Sequence, residues 1–186
     1  MTKKLIMFFF LILLILTSCE YQVLDLYNEG ADYNLRDRGP AGGWIFYENP
    51  DWEADGWKYL EAAPVDQSSG TTWMNPVSYI GAIGTGIGTG KANTDLIISA
   101  TTSSAKSCRD YRGGGYDDWF LPSRDELLKI YDNLMVYSVG GFLSINGYWS
   151  SSESDASNAI TVYFINGSPS STSKNSSNHV RAIRRF

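Results

Sequence analysis

Six carboxylates of the second half of the sequence could do chemistry: Asp117, Asp118, Asp125, Glu126, Glu153 and Asp155. Two such groups standing about 5–10 Å apart across a sugar ring would act as acid and base in glycoside cleavage. The same oxygens would suit calcium, although no EF-hand loop orders them. Their plainer roles are helix capping, turn bonding and solubility. His179 is the single histidine. A histidine-based zinc site needs further His or Cys ligands. No nucleophile-elbow pattern surrounds Ser150, Ser151 or Ser152, so His179 reads as a strand residue. Cys108 has no histidine near it in sequence to lower its pKa and reads as a small buried apolar group.

The run Gly84-Thr85-Gly86-Ile87-Gly88-Thr89-Gly90-Lys91 invites a phosphate reading. A phosphate-binding P-loop needs glycine, four residues, then Gly-Lys-Ser/Thr. Here Thr85 holds the place of the first glycine and Ala92 follows Lys91, so both ends fail. The dinucleotide fingerprint fails at Thr89. The run is a turn into a helix, and no cofactor or metal is expected.

Trp52, Trp57, Trp73 and Trp149 flank polar segments, and an indole beside hydroxyls can cover the apolar face of a sugar. Tryptophans dominate buried area in a small domain, so three of the four are expected in the core.

Positioning these groups falls to an α+β chain. Gly39-Pro40-Ala41-Gly42-Gly43 is a turn cluster followed by two β-prone runs, Trp44–Tyr47 and Trp57–Ala63. Residues 64–90 read as a long irregular loop of the functional kind. The spacing of Leu96, Ile97, Ala100, Ser104, Ala105 and Cys108 predicts a helix over 91–111, ended by Gly113-Gly114-Gly115. Ser123 precedes Glu126 by three residues, a capping box for a second helix. Leu127, Leu128, Ile130, Tyr131 and Leu134 form its buried stripe. Three strands close the chain: one at Tyr148–Ser152, one with Ile160, Val162 and Phe164 on one face, and one from His179 to Phe186. Strands, two helices, then antiparallel strands make an α+β layout.

Composition narrows the classes. The chain has 186 residues, is 43% hydrophobic and 14% aromatic, and so can bury enough area to fold. A net charge of -5 argues against a basic nucleic-acid binder. Lys3 and Lys4 precede an apolar run from Leu5 to Leu16, too short to span a bilayer but right for a signal peptide. Leu16-Thr17-Ser18-Cys19 resembles a lipobox. Residues 1–18 are then a cleaved leader, Cys19 the lipidated residue, 19–38 a tether and 39–186 the folded domain. Removing residues 1–18 takes two lysines and no acids, so the mature charge is about -7. With Cys19 lipidated, Cys108 is the only free thiol and no disulfide forms within the chain.

Several segments carry a family resemblance. They are Gly39-Pro40-Ala41-Gly42-Gly43-Trp44-Ile45-Phe46-Tyr47, Gly56-Trp57-Lys58-Tyr59-Leu60-Glu61-Ala62-Ala63-Pro64 and Gly88-Thr89-Gly90-Lys91-Ala92-Asn93-Thr94. Gly114-Gly115-Tyr116-Asp117-Asp118-Trp119-Phe120-Leu121-Pro122-Ser123, Tyr148-Trp149-Ser150-Ser151-Ser152-Glu153 and Val180-Arg181-Ala182-Ile183-Arg184 follow in order. Over residues 39–186 the chain resembles the family once called DUF1566, named also for the C-terminal domain of a Legionella collagen-like adhesin. Such domains occur in bacterial surface proteins, including spirochaete lipoproteins. The resemblance implies a C-type-lectin-like fold. It does not extend to the cysteine chemistry of the formylglycine-generating enzymes, nor to the Glu-Pro-Asn or Gln-Pro-Asp calcium motifs of sugar-binding lectins.

The expected function is therefore a non-enzymatic, lipid-anchored binding domain of the bacterial envelope, on the outer membrane. Its partner would be a carbohydrate or a protein, not nucleic acid. The alternatives are a carboxylate-dependent glycan hydrolase and a structural envelope component. In lectin-like folds the long loop lies near one end of the late strands. That places the expected ligand site at Trp73, Glu153 and Asp155, beside the Ser/Asn-rich segment 166–178.

Overall fold

The computed structural model describes residues 31–98 and 102–186. The leader, Cys19 and Ala100 lie outside the described residues. Tyr33–Phe186 form one compact unit. Residues 33–38, expected in the tether, belong to it: Arg36 N–H donates to Ile45 O at 2.8 Å and Ile45 N–H to Asp37 O at 3.0 Å.

The unit is α+β. Strand β1 (Trp44–Glu48) pairs antiparallel with β2 (Tyr59–Ala62) across a short helix α1 (Trp52–Asp55). The expected 64–90 loop is less irregular than its composition suggests. It contains β3 (Ser68–Thr71) and β4 (Met74–Asn75). The expected helix over 91–111 is two helices, α2 (Gly90–Ile97) and α3 (Ser104–Arg109). Between them Thr102–Ser103 form β5 and pair with β4. Ser103, in extended backbone, then caps α3 by accepting from Lys106 N–H at 3.0 Å. Strand pairing and a fresh cap override the helical spacing of the flanking residues.

Helix α4 (Arg124–Asn133) follows, then β6 (Gly147–Glu153), β7 (Asn158–Tyr163) and β8 (Ser168–Ser173). The expected last strand is also two, β9 (Asn178–Val180) and β10 (Ile183–Arg185). They lie in different sheets. A three-stranded sheet runs β1-β2-β10 and a five-stranded sheet runs β3-β9-β6-β7-β8. Among the described residues every strand pairing is antiparallel except β6 with β9.

Strand β6 is buried along its whole length. Because successive side chains point to opposite faces, Trp149 enters one core cluster, with Trp73, Trp119, Cys108 and Val180, while Tyr148 enters the other, with Phe46, Phe120, Leu127 and Phe164. On β7, Val162 is buried and the following Phe164 with it, but Ile160 is only half-buried, contrary to the expected common face. Of the four tryptophans, Trp57, Trp73 and Trp149 are buried and Trp52 is 44% exposed, as expected.

The capping box at α4 is complete. Ser123 Oγ accepts from Glu126 N–H at 3.3 Å, and Glu126 Oε2 accepts from Ser123 N–H at 2.7 Å. Ser123 is wholly buried and its hydroxyl also donates to Gly86 O at 2.9 Å. Ser123→Ala is therefore expected to cost about 1–2 kcal/mol in urea denaturation. Aspartate, an equally good cap in solvent, should not rescue it. It has no proton for Gly86 O and would set a second carboxylate beside Glu126. Full rescue by Ser123→Asp would show that the bond to Gly86 contributes nothing.

Candidate functional site

The glycine-rich motifs wrap carboxylates that belong to the chain itself. Glu126 is fully buried, and its Oε1 accepts from Gly88 N–H at 2.8 Å. A Cβ at Gly90 would fall 2.2 Å from Glu126 Oε2, so only glycine lets α2 begin there. The cradle that a phosphate would have occupied is thus filled by Glu126. Burial pushes its pKa up to about 7 against the opposing pull of the donors from Ser123, Gly88 and Gly90.

Glu61 repeats the arrangement. It is fully buried and accepts from Gly43 N–H at 2.6 Å and Ala41 N–H at 3.1 Å, the first turn cluster of the domain. Burial raises its pKa too, partly offset by those amides and by Arg184. A Cβ at Gly43 would meet Ala62 O at 2.2 Å.

Glu153, expected at a ligand surface, is the third such bolt. Its carboxylate accepts from Ile80 N–H at 3.1 Å and Gly81 N–H at 2.7 Å, and it pairs with Lys174, whose side chain is as fully buried as its own. Lys174 also donates to Ser78 O at 2.7 Å and Ala156 O at 3.1 Å, so its three ammonium hydrogens meet three acceptors. The ammonium lies 4.9 Å from the centre of the Trp73 ring.

Trp73 corrects the expectation of an indole on a ligand surface. It is 0% exposed, and its Nε1–H donates to Ser150 O at 2.7 Å. Burial of the ring is worth more to the fold than an exposed face would be. Asp155 is the one expected site residue on the surface. Its Oδ1 accepts from Ser157 N–H at 2.8 Å and Asn158 N–H at 2.9 Å, closing the turn between β6 and β7. Hydrogen bonds from Asn158 and Ser157 hold its pKa below the usual carboxylate range. The structure therefore brings Trp73 and Glu153 together inside the protein and leaves Asp155 on the turn above them. Lys174, which links the first two, went unnoticed in the sequence. Its signal was a lone cation after the uncharged run Ala156–Ser173.

Asp118 and His179 are also engaged, and Asp117 is exposed. Arg184 clamps Asp118 through Nε at 2.9 Å and Nη2 at 3.0 Å. His179 sits in β9 with Nδ1 2.9 Å from Asp66 Oδ2 and Nε2 2.6 Å from Asn146 Nδ2. A neutral imidazole that donates through Nδ1 fits both neighbours. Asp66 also accepts from Tyr148 Oη at 3.1 Å and Arg181 Nε at 2.6 Å. Cys108 is buried, and burial raises its pKa far above the thiol range in which it would react. Among the described residues no group of three or more His, Cys, Asp or Glu side chains is placed to hold a metal.

An open groove lies close to the expected site, on the other side of the turn. About 210 Å³ in volume, it is lined by Arg124, Ser154, Ile160, Pro169, Ser170 and Ser171. Three elements build it. The edge strand β8 supplies Pro169, Ser170 and Ser171, and proline there costs no inner ladder bond. β7 supplies the half-buried Ile160, and the β6–β7 turn supplies Ser154. Arg124 is the first residue of α4. Its backbone N–H is fixed by Ser152 Oγ at 3.0 Å, while its guanidinium bonds Asp125 through Nε at 2.7 Å. Among the described residues its two terminal nitrogens have no protein partner. Guanidinium donors, short hydroxyls and an apolar floor are what a hydroxyl-rich ligand with C–H faces would meet.

A family model described as the Lcl C-terminal domain matches residues 63–184, about two-thirds of the chain. The chain belongs to the Lcl C-terminal domain family. The matched span of this family begins within the last turn out of β2, so β1 and α1 lie before it, and it is narrower than the resemblance over 39–186. It contains every residue of the groove, Glu126 with its glycine loop, and the Glu153–Lys174 pair. It excludes Trp52, the one exposed tryptophan of the four. No curated protein matches the chain.

Proposed function

We propose that this member of the Lcl C-terminal domain family is a non-enzymatic binding module with a C-type-lectin-like fold, carried on an envelope lipoprotein that is acylated at Cys19 and held at the outer membrane, and that its ligand is a carbohydrate. The observation that carries this reading is the groove between α4 and β8. Arg124, Ser154 and Ser171 meet there with Ile160 and Pro169, and among the described residues the terminal nitrogens of Arg124 have no protein partner. Short hydroxyls lose little entropy on binding, and the two apolar residues can cover a sugar's C–H face. Of the six acids that could have supplied hydrolysis, five are used otherwise: Glu126 and Glu153 bond loops, Asp118 pairs with Arg184, Asp125 with Arg124, and Asp155 closes a turn.

A glycan array probed with the protein tests this reading. On any glycan bound, Arg124→Ala is expected to weaken affinity at least about tenfold, which is 1.4 kcal/mol. The melting temperature should hardly move, because the backbone bond to Ser152 is kept. Trp52→Ala should leave affinity unchanged. Loss of binding in Trp52→Ala with retention in Arg124→Ala would move the site to α1. A glycan cleaved by the protein would overturn the non-enzymatic reading.

A further inference from the structure

The end of the domain opposite the Asp155 turn is apolar, with Arg36 beside Tyr137 as the charge at its border. Ile145 is 79% exposed, Ile165 68%, Val136 60% and Tyr137 58%, with Leu143 and Tyr163 also exposed. Two turns hold this surface together. Phe164 N–H donates to Asn146 O at 3.3 Å, and Gly147 pairs with Tyr163 where β6 begins and β7 ends. Beneath them Phe142 packs on Phe164 with ring centres 5.3 Å apart. Val136 and Tyr137 follow α4, and between them and Phe142 lies a cavity of about 150 Å³ lined by Met135, Ser138, Val139, Gly141 and Phe142.

In a chain with 20 acidic residues, Leu134–Ser152 and Ala156–Ser173 contain no Asp, Glu, Lys, Arg or His. The charged residues that approach this end from β9, Arg181 and His179, are buried and bonded to Asp66. Exposed aliphatic residues gathered in this way mark an interaction surface, since scattered single ones would need no explanation.

The path of the chain says what covers this end. The described residues come in beside it: the Arg36 guanidinium stacks 4.2 Å from the centre of the Tyr137 ring and donates to Asn133 O at 3.4 Å. Only the 13 residues 20–32 separate Cys19 from Tyr33. Fully extended, that length spans at most about 45–50 Å, at about 3.3–3.6 Å per residue. A lipid on Cys19 would thus let this end, beside which the described chain enters, reach the bilayer. Tyrosine settles at the headgroup level, and an exposed apolar face beside it can bury into the headgroup–acyl boundary. A neutral surface on an otherwise acidic protein avoids repulsion from the membrane.

We infer that the Leu143–Asn146 and Tyr163–Asn166 turns, with Val136 and Tyr137, rest in the headgroup region of the lipid bilayer, and that the β8 groove then faces away from it. The inference rests on the lipid-anchor reading for its geometry but is read out separately. Cys108 is buried and Cys19 would be acylated, so Ile145→Cys offers one accessible thiol. The full-length protein, labelled there with an environment-sensitive fluorophore, is placed in phosphatidylcholine vesicles. Acylation of Cys19 is scored in the same preparation by a clickable fatty acid.

Docking predicts a blue-shifted emission that spin-labelled lipids quench, and a Ser170→Cys label that stays in water. Adding Ile165→Asp should abolish the shift. An acylated protein whose residue 145 label stays water-like overturns docking and leaves the anchor standing. A protein that takes up no fatty acid overturns the anchor, and docking then stands if the Cys19→Ser variant, labelled at residue 145 alone, still shows the quenched, shifted emission on adding vesicles. A shift that lipid quenchers do not touch, and that fades as the protein is diluted among the vesicles, overturns lipid docking in favour of contact between two copies of the chain.

Discussion

Lys174→Met is expected to destabilise the domain by about 3–5 kcal/mol, the largest loss of any single side-chain replacement considered. Breaking a buried pair leaves the remaining charge without compensation. Both partners are shut off from solvent, with side-chain exposures of 0% each. Removing the ammonium strands Glu153 with only the Ile80 and Gly81 amides. It also frees Ser78 O and Ala156 O, so the loop before α2 loses its attachment to the β6–β7 turn. Trp73 loses the cation near its face. The double change Lys174→Met with Glu153→Gln should recover a large share of the loss, because no unpaired charge then remains and the amide oxygen can still accept from Gly81. Urea denaturation of the three variants closes the double-mutant cycle. If the two single changes add without coupling, the ion pair does not hold the loop.

The second large effect depends on pH and belongs to Glu126. Its pKa in the folded protein is raised by burial to about 7, against 4.5 for an exposed glutamate. The folded state therefore holds a proton that the unfolded chain has given up. Between these values the native state binds more protons, so this group's contribution to stability is fully present below pH 4.5 and lost as pH rises through about 7. The expected loss is on the order of 3 kcal/mol. Asp155, whose pKa is lowered by the bonds from Asn158 and Ser157, pulls acid stability the other way. The effect is therefore read as a difference between the wild type and Glu126→Gln. That variant cannot titrate and keeps one acceptor oxygen for Gly88 or Ser123. The stability advantage of the wild type should shrink steadily from pH 4.5 to 7. A difference that stays flat across that window would mean the carboxylate ionises as it does in water and its burial is relieved by solvent.

Both effects come from glutamates whose use the sequence disclosed very unequally. Glu126 was legible as half of a capping box, because the donor and acceptor of that motif are three residues apart and helical geometry alone brings them together. That the same carboxylate also fills the glycine loop at 84–90 was not legible. The second contact spans 38 residues, from Gly88 to Glu126. It exists only because α2 and α4 begin side by side. The three-to-one division of the tryptophans was predictable from area, since four large rings cannot all stay wet in a domain this size.

The helix over 91–111 failed for a related reason. Its apolar spacing was real, and Ile97, Ala105 and Cys108 are all buried, but two short helices can present the same residues to one core. What broke the run was the pairing of Thr102–Ser103 with Met74–Asn75, a partner about 28 residues back in the sequence. Likewise His179–Phe186 was recognisable as extended chain, yet nothing in its pattern marked Arg181 and Ala182 as the step from one sheet to the other.

By its own residues, then, the sequence determined what local geometry enforces: the cap at Ser123, the glycine turns, the burial of most tryptophans, the family motifs and the uncharged run that ends at Lys174. Tertiary structure decided which of those groups meet. Glu153 and Lys174 are 21 residues apart, and the groove draws on α4, the β6–β7 turn, β7 and β8. Pairings across such distances follow from strand register and helix docking, which are set by the summed burial of both cores and not by the few residues that finally touch.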